Sequence, residues 1–309
     1  MKNEQMPSHH GKEDRLEGKY PNQTLKLLIQ RASCRSFSDR KISPDVLQLI
    51  LEAGIRAPSG GNLQPFSIIK IEEDETKQKL AELCERQYFI AQAPVNLLFC
   101  IDWHRIQRWA ELETAPFTAT SSFRHFWISF QDTIIAAQNI CTAADSLGLG
   151  SVYIGSVLEC FEELREMFHL PKAVFPVVLL SLGYPKIRLI PRKKLALDVI
   201  VHEERYHEMG DNELIDAFNK KYPDIRIEIT EERLETISRV CREVHGEEFA
   251  KKCIEKVKEN GYINPVQRYF GLHYCADSMP EGNDTYLQFM EEFGFNWFKR
   301  YQPFEDKTK

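Results

Sequence analysis

The residues with the clearest chemical potential form a short run in which Arg31, Ser33 and Arg35 occupy every second position. An extended backbone would point all three side chains to one side, whereas the end of a helix would place Arg31 and Arg35 on one face. In either case two guanidinium groups converge, and their fixed N–H donors suit a phosphate dianion better than lysine does. The run therefore predicts an anion site for a phosphate.

A second run follows at residues 57–66, which read Ala-Pro-Ser-Gly-Gly-Asn-Leu-Gln-Pro-Phe. Glycines loosen the backbone and let it approach a ligand closely. The Ser, Asn and Gln side chains add hydroxyl and amide groups to the same turn. This combination predicts a loop that lies against a planar polar ring, such as a flavin or a base.

Further motifs continue in the same order along the chain. They are Ser-Leu-Gly-Leu-Gly-Ser-Val-Tyr-Ile-Gly-Ser at residues 146–156, Gly-Tyr-Pro at 183–185, Ile-Pro-Arg at 190–192 and Val-His-Glu-Glu-Arg-Tyr at 201–206. Over residues 25–206 the chain resembles the nitroreductase superfamily, flavoproteins that hold FMN at a homodimer interface. It looks closest to the branch of oxygen-insensitive NADPH nitroreductases and NADPH-dependent flavin reductases. The resemblance implies an α+β fold, with a mixed, mostly antiparallel sheet flanked by helices in an intertwined homodimer.

The resemblance also implies a set of cofactor-binding residues. Arg31, Ser33 and Arg35 match the anchors of the FMN phosphate and ribityl chain, and Arg192 matches the last arginine of a phosphate clamp. The loop that reaches the flavin across the dimer corresponds to Pro58, Ser59, Gly60, Asn62 and Gln64. The glutamine at the edge of the flavin ring corresponds to Gln87. The segment along one side of the ring corresponds to Tyr153, Ile154, Gly155 and Ser156. A helix surface for Gln87 and a core strand for Tyr153 are the alternatives.

Two substitutions depart from the family pattern. Ile190 stands where the phosphate clamp has a lysine, so that Lys193 or Arg188 would have to replace it or FMN would bind more weakly. Leu158 stands where an arginine is usual, which leaves the choice between NADPH and NADH open. Residues 103–123 and the long carboxyl-terminal part exceed the usual length of the branch and are expected to reshape the substrate mouth.

The activity that the resemblance implies is that of an FMN-dependent NAD(P)H oxidoreductase. NADPH or NADH would reduce the flavin and leave, and a nitroaromatic compound, a quinone or free flavin would then take two electrons in the same slot. No side chain is assigned as a catalytic acid or nucleophile, because the cofactor carries the chemistry. The alternatives are a lid-closing, dehalogenase-like member of the superfamily and a non-enzymatic flavin-binding protein that kept the fold.

Composition narrows the class of protein. The 309 residues are 43% hydrophobic and carry a net charge of −6, which argues against nonspecific nucleic-acid binding. No apolar stretch approaches the roughly 20 residues of a membrane span. The eight cysteines show neither a Cys-x-x-Cys pair nor the spacing of metal ligands, so we expect reduced thiols in a cytoplasmic protein without a metal site.

Hydrophobic periodicity predicts the main elements and three regions. Strands are predicted at residues 66–71, 95–101, 152–154 and 174–182, and helices at 75–87, 125–147, 211–221 and 231–259. Residues 125–147 are apolar on nearly every side, which places that helix in a core or a dimer interface. We expect a mobile leader at residues 1–20, an FMN-binding domain at 21–206 and a helical extension at 207–309. The aromatic residues of 282–297 should pack on the core or on a second subunit, with a substrate lid as the alternative.

Overall fold

The structure, a computed structural model, describes residues 20–187 and 189–302. They form two compact units. The first contains the described residues up to Pro191 and those from Leu287 to residue 302, and the second is Arg192–Tyr286. Of the predicted leader, only residue 20 is described. The predicted division into three regions stays a prediction.

A four-stranded sheet is the centre of the first unit. Its strands are β1 (Phe66–Ile71), β2 (Val95–Asp102), β3 (Gly150–Ile154) and β4 (Val174–Gly183), in the order β1-β2-β4-β3. All three pairings are antiparallel. Every residue of β2 and β4 is buried, as their continuous apolar sequences require when both faces of a strand are covered. The α+β class and the mostly antiparallel sheet are confirmed.

Helices surround this sheet. In chain order they are α1 (Gln23–Gln30), α2 (Pro44–Ile55), α3 (Asp74–Leu83), α4 (Phe89–Gln92), α5 (His104–Leu112), α6 (Phe123–Ser146) and α7 (Phe161–Met167). Ser43 caps α2 by accepting from the Val46 N–H, with Pro44 at the first helical position. The helix predicted at 75–87 was too long, because α3 ends at Leu83 and Glu85 and Arg86 adopt positive φ angles of 57° and 55°.

The long helix α6 does not bury its apolar residues evenly. Its buried face carries mainly small and polar residues, including Ser129, Asp132 and Ala136. Several large apolar side chains point away instead, with Phe123 55% and Trp127 50% exposed. Among the residues that the structure describes, α6 is therefore covered mainly on one side.

The second unit contains α8 (Leu197–Ile200), α9 (Asp211–Lys221), α10 (Glu231–His245), α11 (Glu247–Asn260) and α12 (Pro265–Arg268). The single helix predicted at 231–259 was wrong. Gly246 breaks it with φ 87° and ψ 173°, a conformation that only glycine adopts readily, and α10 and α11 pack against each other as a pair. No helix in the described ranges is both long and apolar enough to cross a bilayer.

The last helix, α13 (Asn283–Glu292), contains the boundary between the units, and the residues after it complete the core of the first. Phe293 and Phe295 are almost fully buried, with ring centroids 5.2 and 6.3 Å from that of Phe175 in β4. The Ala173 N–H donates to the Phe293 carbonyl over 2.6 Å. These aromatic residues of the carboxyl-terminal segment thus pack on the sheet of their own chain.

Candidate functional site

Residues 31–38 run along the end of the sheet in an extended conformation. The chain leaves α1 at Gln30, and Arg31 has φ −61° and ψ 147°. The Cys34 N–H donates to the Ser151 carbonyl of β3 over 2.9 Å, and the Ser38 N–H donates to the Tyr184 carbonyl over 2.8 Å. A Cβ atom on Gly150 would lie 2.6 Å from the Cys34 Cβ, so glycine at 150 is what lets the segment approach β3. Of the two predicted geometries, the structure therefore shows the extended one.

The two arginines of this segment have different surroundings. Arg31 donates from Nε to Asp145 Oδ2 over 2.9 Å and from Nη2 to Ser151 Oγ over 3.1 Å. Arg35 is exposed, and its guanidinium carbon lies 6.0 Å from the centroid of the Phe89 ring. Arg31 thus already has a carboxylate partner inside the protein, whereas Arg35 faces solvent, where an external anion can reach it.

Burial opposes charge at the Arg31–Asp145 pair. The two side chains are only 22% and 9% exposed. Burial raises the pKa of Asp145, although the hydrogen bond and the charge of Arg31 act in the opposite direction. For Arg31, burial lowers the pKa, but the hydrogen bond to Asp145 and its charge outweigh burial, so that the net shift is upward. Arg31 therefore helps Asp145 to keep its charged form despite burial.

A second group of predicted residues meets at the end of β3. Gln87, in the turn after α3, donates from Nε2 to Ser156 Oγ over 2.8 Å. Gly155 is exposed, and apart from its two neighbours in the chain no residue has an atom within 4 Å of where its Cβ would be. Arg35 contacts the Phe89 ring, and Phe89 is two residues along the chain from Gln87. The structure therefore shows open space bordered by backbone and by a hydrogen-bonded pair of polar side chains.

Tyr153 and Ile154 turn their side chains away from this space. Ile154 is buried in the core, and the Tyr153 hydroxyl donates to Gln138 Oε1 of α6 over 3.4 Å. Burial raises the pKa of Tyr153 far above its usual value. Any contact of these two residues with a ligand at Gly155 would involve their backbone.

The second predicted loop, residues 58–64, lies on α6. Both carboxylate oxygens of Asp132 accept from the Gly60 N–H, at 3.0 and 3.1 Å. A Cβ atom on Gly60 would lie 2.8 Å from Ile128 Cγ2, so this contact requires glycine. Gly61, Asn62 and Gln64 have positive φ angles of 59°, 54° and 50°. Three left-handed residues within four positions make this an unusually constrained loop.

The loop and the arginines lie at different positions along α6. The loop is attached at Asp132 and Arg31 at Asp145, thirteen residues further on. At 1.5 Å per residue the two attachment points are about 20 Å apart along the helix axis. One chain therefore does not bring the two predicted parts of the site together.

Several residues at the site were not among the sequence predictions. Asp132 and Asp145 fix the loop and Arg31, and two carboxylates within a largely apolar helix were a signal that each needs a partner. Arg192 is exposed at the start of the second unit, so its role stays a prediction. Arg188 lies outside the described residues. Within the described ranges, no three His, Cys, Asp or Glu residues form a metal-binding group.

This fold and this site define a class. The model of the nitroreductase family matches residues 28–184, which is just over half of the chain and includes all four strands. The protein therefore belongs to the nitroreductase family.

Particular relatives agree with this assignment. The chain is 37% identical to an NAD(P)H-dependent FMN reductase of Bacillus subtilis over 60% of its length and 75% of the relative. It is 31% identical to the oxygen-insensitive NADPH nitroreductase of Salmonella typhimurium over 64% of its length and 80% of the relative. The solved structure of NfrA2 from B. megaterium, 26% identical, superimposes with a TM-score of 0.68 over 90% of this chain and 100% of that one.

Proposed function

We propose that this protein is an FMN-dependent NAD(P)H oxidoreductase that acts as a homodimer and reduces a small-molecule acceptor by two electrons at a time. The observation that carries the proposal is the open space at Gly155, bordered by the Gln87–Ser156 pair. The exposed Arg35 adds a positive charge beside Phe89, which is two residues along the chain from Gln87. The relatives named FMN reductase and NADPH nitroreductase support the same chemistry.

The described residues fit FMN. Arg35 and Ser33 are exposed on the extended segment and would bind the phosphate, the strongest charge of the cofactor. Arg31 would orient this segment through Asp145 and Ser151. Ile190, where the resemblance implies a lysine, is 78% exposed and supplies no charge, so the phosphate would depend more heavily on Arg35.

The flat ring of the cofactor would lie against Gly155, where the absence of a side chain leaves room. The Ser156 backbone and the Gln87 side chain would face the edge of the ring as hydrogen-bond partners. When bound, FMN supplies the two-electron chemistry between nicotinamide and acceptor. The protein would bind and orient both molecules, and a slot with few polar groups would accept nitroaromatic compounds, quinones or free flavin.

The partner subunit would supply the rest of the site. The loop of residues 58–64 is attached to α6 at Asp132, and the same helix carries Trp127 and Ile135, which are 50% and 39% exposed. A second chain covering this apolar face would bring its own loop close to the flavin of the first chain. This accounts for the separation of about 20 Å between the loop and Arg31 within one chain.

Cytoplasmic localisation is part of the proposal. The chain carries eight cysteines, five of them buried as thiols, which suits a reducing compartment. We propose no nucleic-acid or membrane partner, in keeping with the net charge of −6.

Anaerobic titration of the purified full chain tests the proposal. The protein should bind FMN, and NADPH or NADH should bleach the flavin absorbance, which a quinone should then restore. A yellow protein that neither nicotinamide bleaches would contradict the enzymatic function and favour a flavin-binding protein. Turnover of halogenated phenols but not of quinones would favour the dehalogenase-like alternative.

A further inference from the structure

We propose that Arg105 is a positioning residue that holds the loop of residues 58–64 in its left-handed conformation and thereby sets the affinity for FMN. The inference deepens the proposed function, since it assigns a role to a residue outside the predicted site. It concerns Arg105 at the start of α5, in the segment of residues 103–123 that the sequence analysis expects to reshape the substrate mouth.

Arg105 is bound directly to the end of the loop. Its Nη2 donates to the Gln64 carbonyl over 3.1 Å and to the Phe66 carbonyl over 2.9 Å. Its Nη1 donates to Ser67 Oγ over 3.2 Å. One guanidinium group therefore joins the last residue of the loop to the first two residues of β1.

Asp102 fixes Arg105 from the other side. It is 7% exposed at the end of β2, and its Oδ1 accepts from the Arg105 N–H over 3.1 Å. Its Oδ2 accepts from the Ser67 hydroxyl and lies 3.4 Å from Arg105 Nη1. The Asp102 N–H also donates to the Pro65 carbonyl over 2.8 Å. Asp102 and Arg105 therefore bind the same short segment, residues 64–67.

The loop requires such a support, because its backbone is otherwise unfavourable. Asn62 and Gln64 adopt positive φ angles, which residues with a Cβ avoid unless their surroundings fix them. Asp132 holds the beginning of the loop at the Gly60 N–H, and Arg105 holds its end at the Gln64 carbonyl. The two charged groups, on α6 and α5, thus fix both ends.

The alanine variant R105A should therefore loosen the end of the loop and leave its beginning attached. Gln64 keeps its hydrogen bonds to Ser59 Oγ and to the Ile55 carbonyl, so the loop should stay folded in the variant. We expect amide deuterium exchange in residues 59–66 of the flavin-free full-length protein to become about fivefold faster, because loss of one charge-assisted contact makes local opening of the loop easier. The Kd for FMN, measured by quenching of flavin fluorescence, should rise roughly tenfold. R105K should show smaller changes in loop exchange and in FMN affinity than R105A does. An ammonium group can donate to the same carbonyls but lacks the planar fork of a guanidinium group.

Arg108, which is exposed one turn further along α5, supplies the matched control. R108A removes the same charge from the same helix and should change neither loop exchange nor FMN affinity. Faster exchange together with weaker FMN binding in R105A alone, partly reversed in R105K, would support the positioning role.

Two results would overturn it. The first is unchanged loop exchange in R105A. The second is faster exchange with FMN affinity equal to that of the wild type, which would reduce Arg105 to a structural contact. Failure of the proposed function is recognised separately, because the wild-type protein itself would then bind no FMN, and the positioning role would be refuted with it.

Discussion

Replacing Arg35 by alanine should weaken FMN binding strongly while leaving the fold almost unchanged. Within the described structure, the guanidinium lies 6.0 Å from the Phe89 ring centroid, and such an exposed cation–π contact is worth about 0.5–1 kcal/mol. A charge-assisted hydrogen bond to a phosphate is worth about 1.5–3 kcal/mol. The variant R35A should thus lose about ten- to a hundredfold in FMN affinity.

The measurement is a fluorescence titration of the flavin-free full-length protein with FMN, together with its thermal midpoint without FMN. R108A is the matched control, because Arg108 is an exposed arginine on α5, outside both the extended segment and the loop of residues 58–64. We expect R108A to bind FMN as the wild type does. Raising the salt concentration should reduce the difference in FMN affinity between R35A and the wild type, since the lost contact is electrostatic.

R31A provides the informative contrast. Arg31 pairs with a largely buried carboxylate, so its removal should destabilise the protein by about 3 kcal/mol, toward the low end for a buried pair because Arg31 is partly exposed. R35A should thus affect mainly affinity and R31A mainly stability. A folded R35A protein with wild-type FMN affinity would refute the assignment of Arg35 to the phosphate, and equal effects of both variants would refute the distinction between them.

Three further results are expected. In R31A the pKa of Asp145, already raised by burial, should rise further because the neighbouring positive charge is gone. The loss of thermal stability relative to wild type should therefore be larger at pH 7 than near pH 4, where the Asp145 carboxyl group also binds a proton in the unfolded state. A loss of stability that does not change with pH would contradict this. Light scattering should give a mass of about twice 36.0 kDa for the wild type. The variant W127E puts a charge on the exposed face of α6 and should give monomers that bind FMN more weakly. A wild-type monomer that binds FMN would contradict the shared site. G246A should lower the free energy of unfolding by about 1–3 kcal/mol, because Gly246 has a φ of 87° that alanine rarely adopts. In the same denaturant titration G210A should be nearly neutral, because Gly210 has a φ of −66°. Equal losses in the two variants would contradict the account of the helix break.

Local sequence signals predicted the fold well where they were strong. The alternating, β-branched residues 66–71 form β1 with the predicted bounds, and α9 spans the predicted residues 211–221. The break at Gly246 was missed because the apolar pattern continues on both sides of it, so that only the backbone conformation distinguishes two helices from one.

The site was less predictable, because its contacts join distant parts of the chain. Arg31 and Asp145 are separated by 114 positions, and no periodicity relates them. The sequence indicated which residue types could bind a phosphate but not that one of the two arginines was already paired. The family resemblance placed the loop of residues 58–64 near a flavin, yet only the structure shows that Asp132 and Arg105 hold it.

The return of the carboxyl-terminal segment to the first unit has a consequence for biosynthesis. Phe293 and Phe295 complete a core whose other residues precede Pro191, and the whole second unit is synthesised in between. Because translation proceeds at about 5–20 residues per second, the nascent first unit spends several seconds with its sheet uncovered at Phe175. During that time it is exposed to chaperones and to aggregation, and a premature stop codon that removes only the end of the chain would leave this hydrophobic surface open permanently.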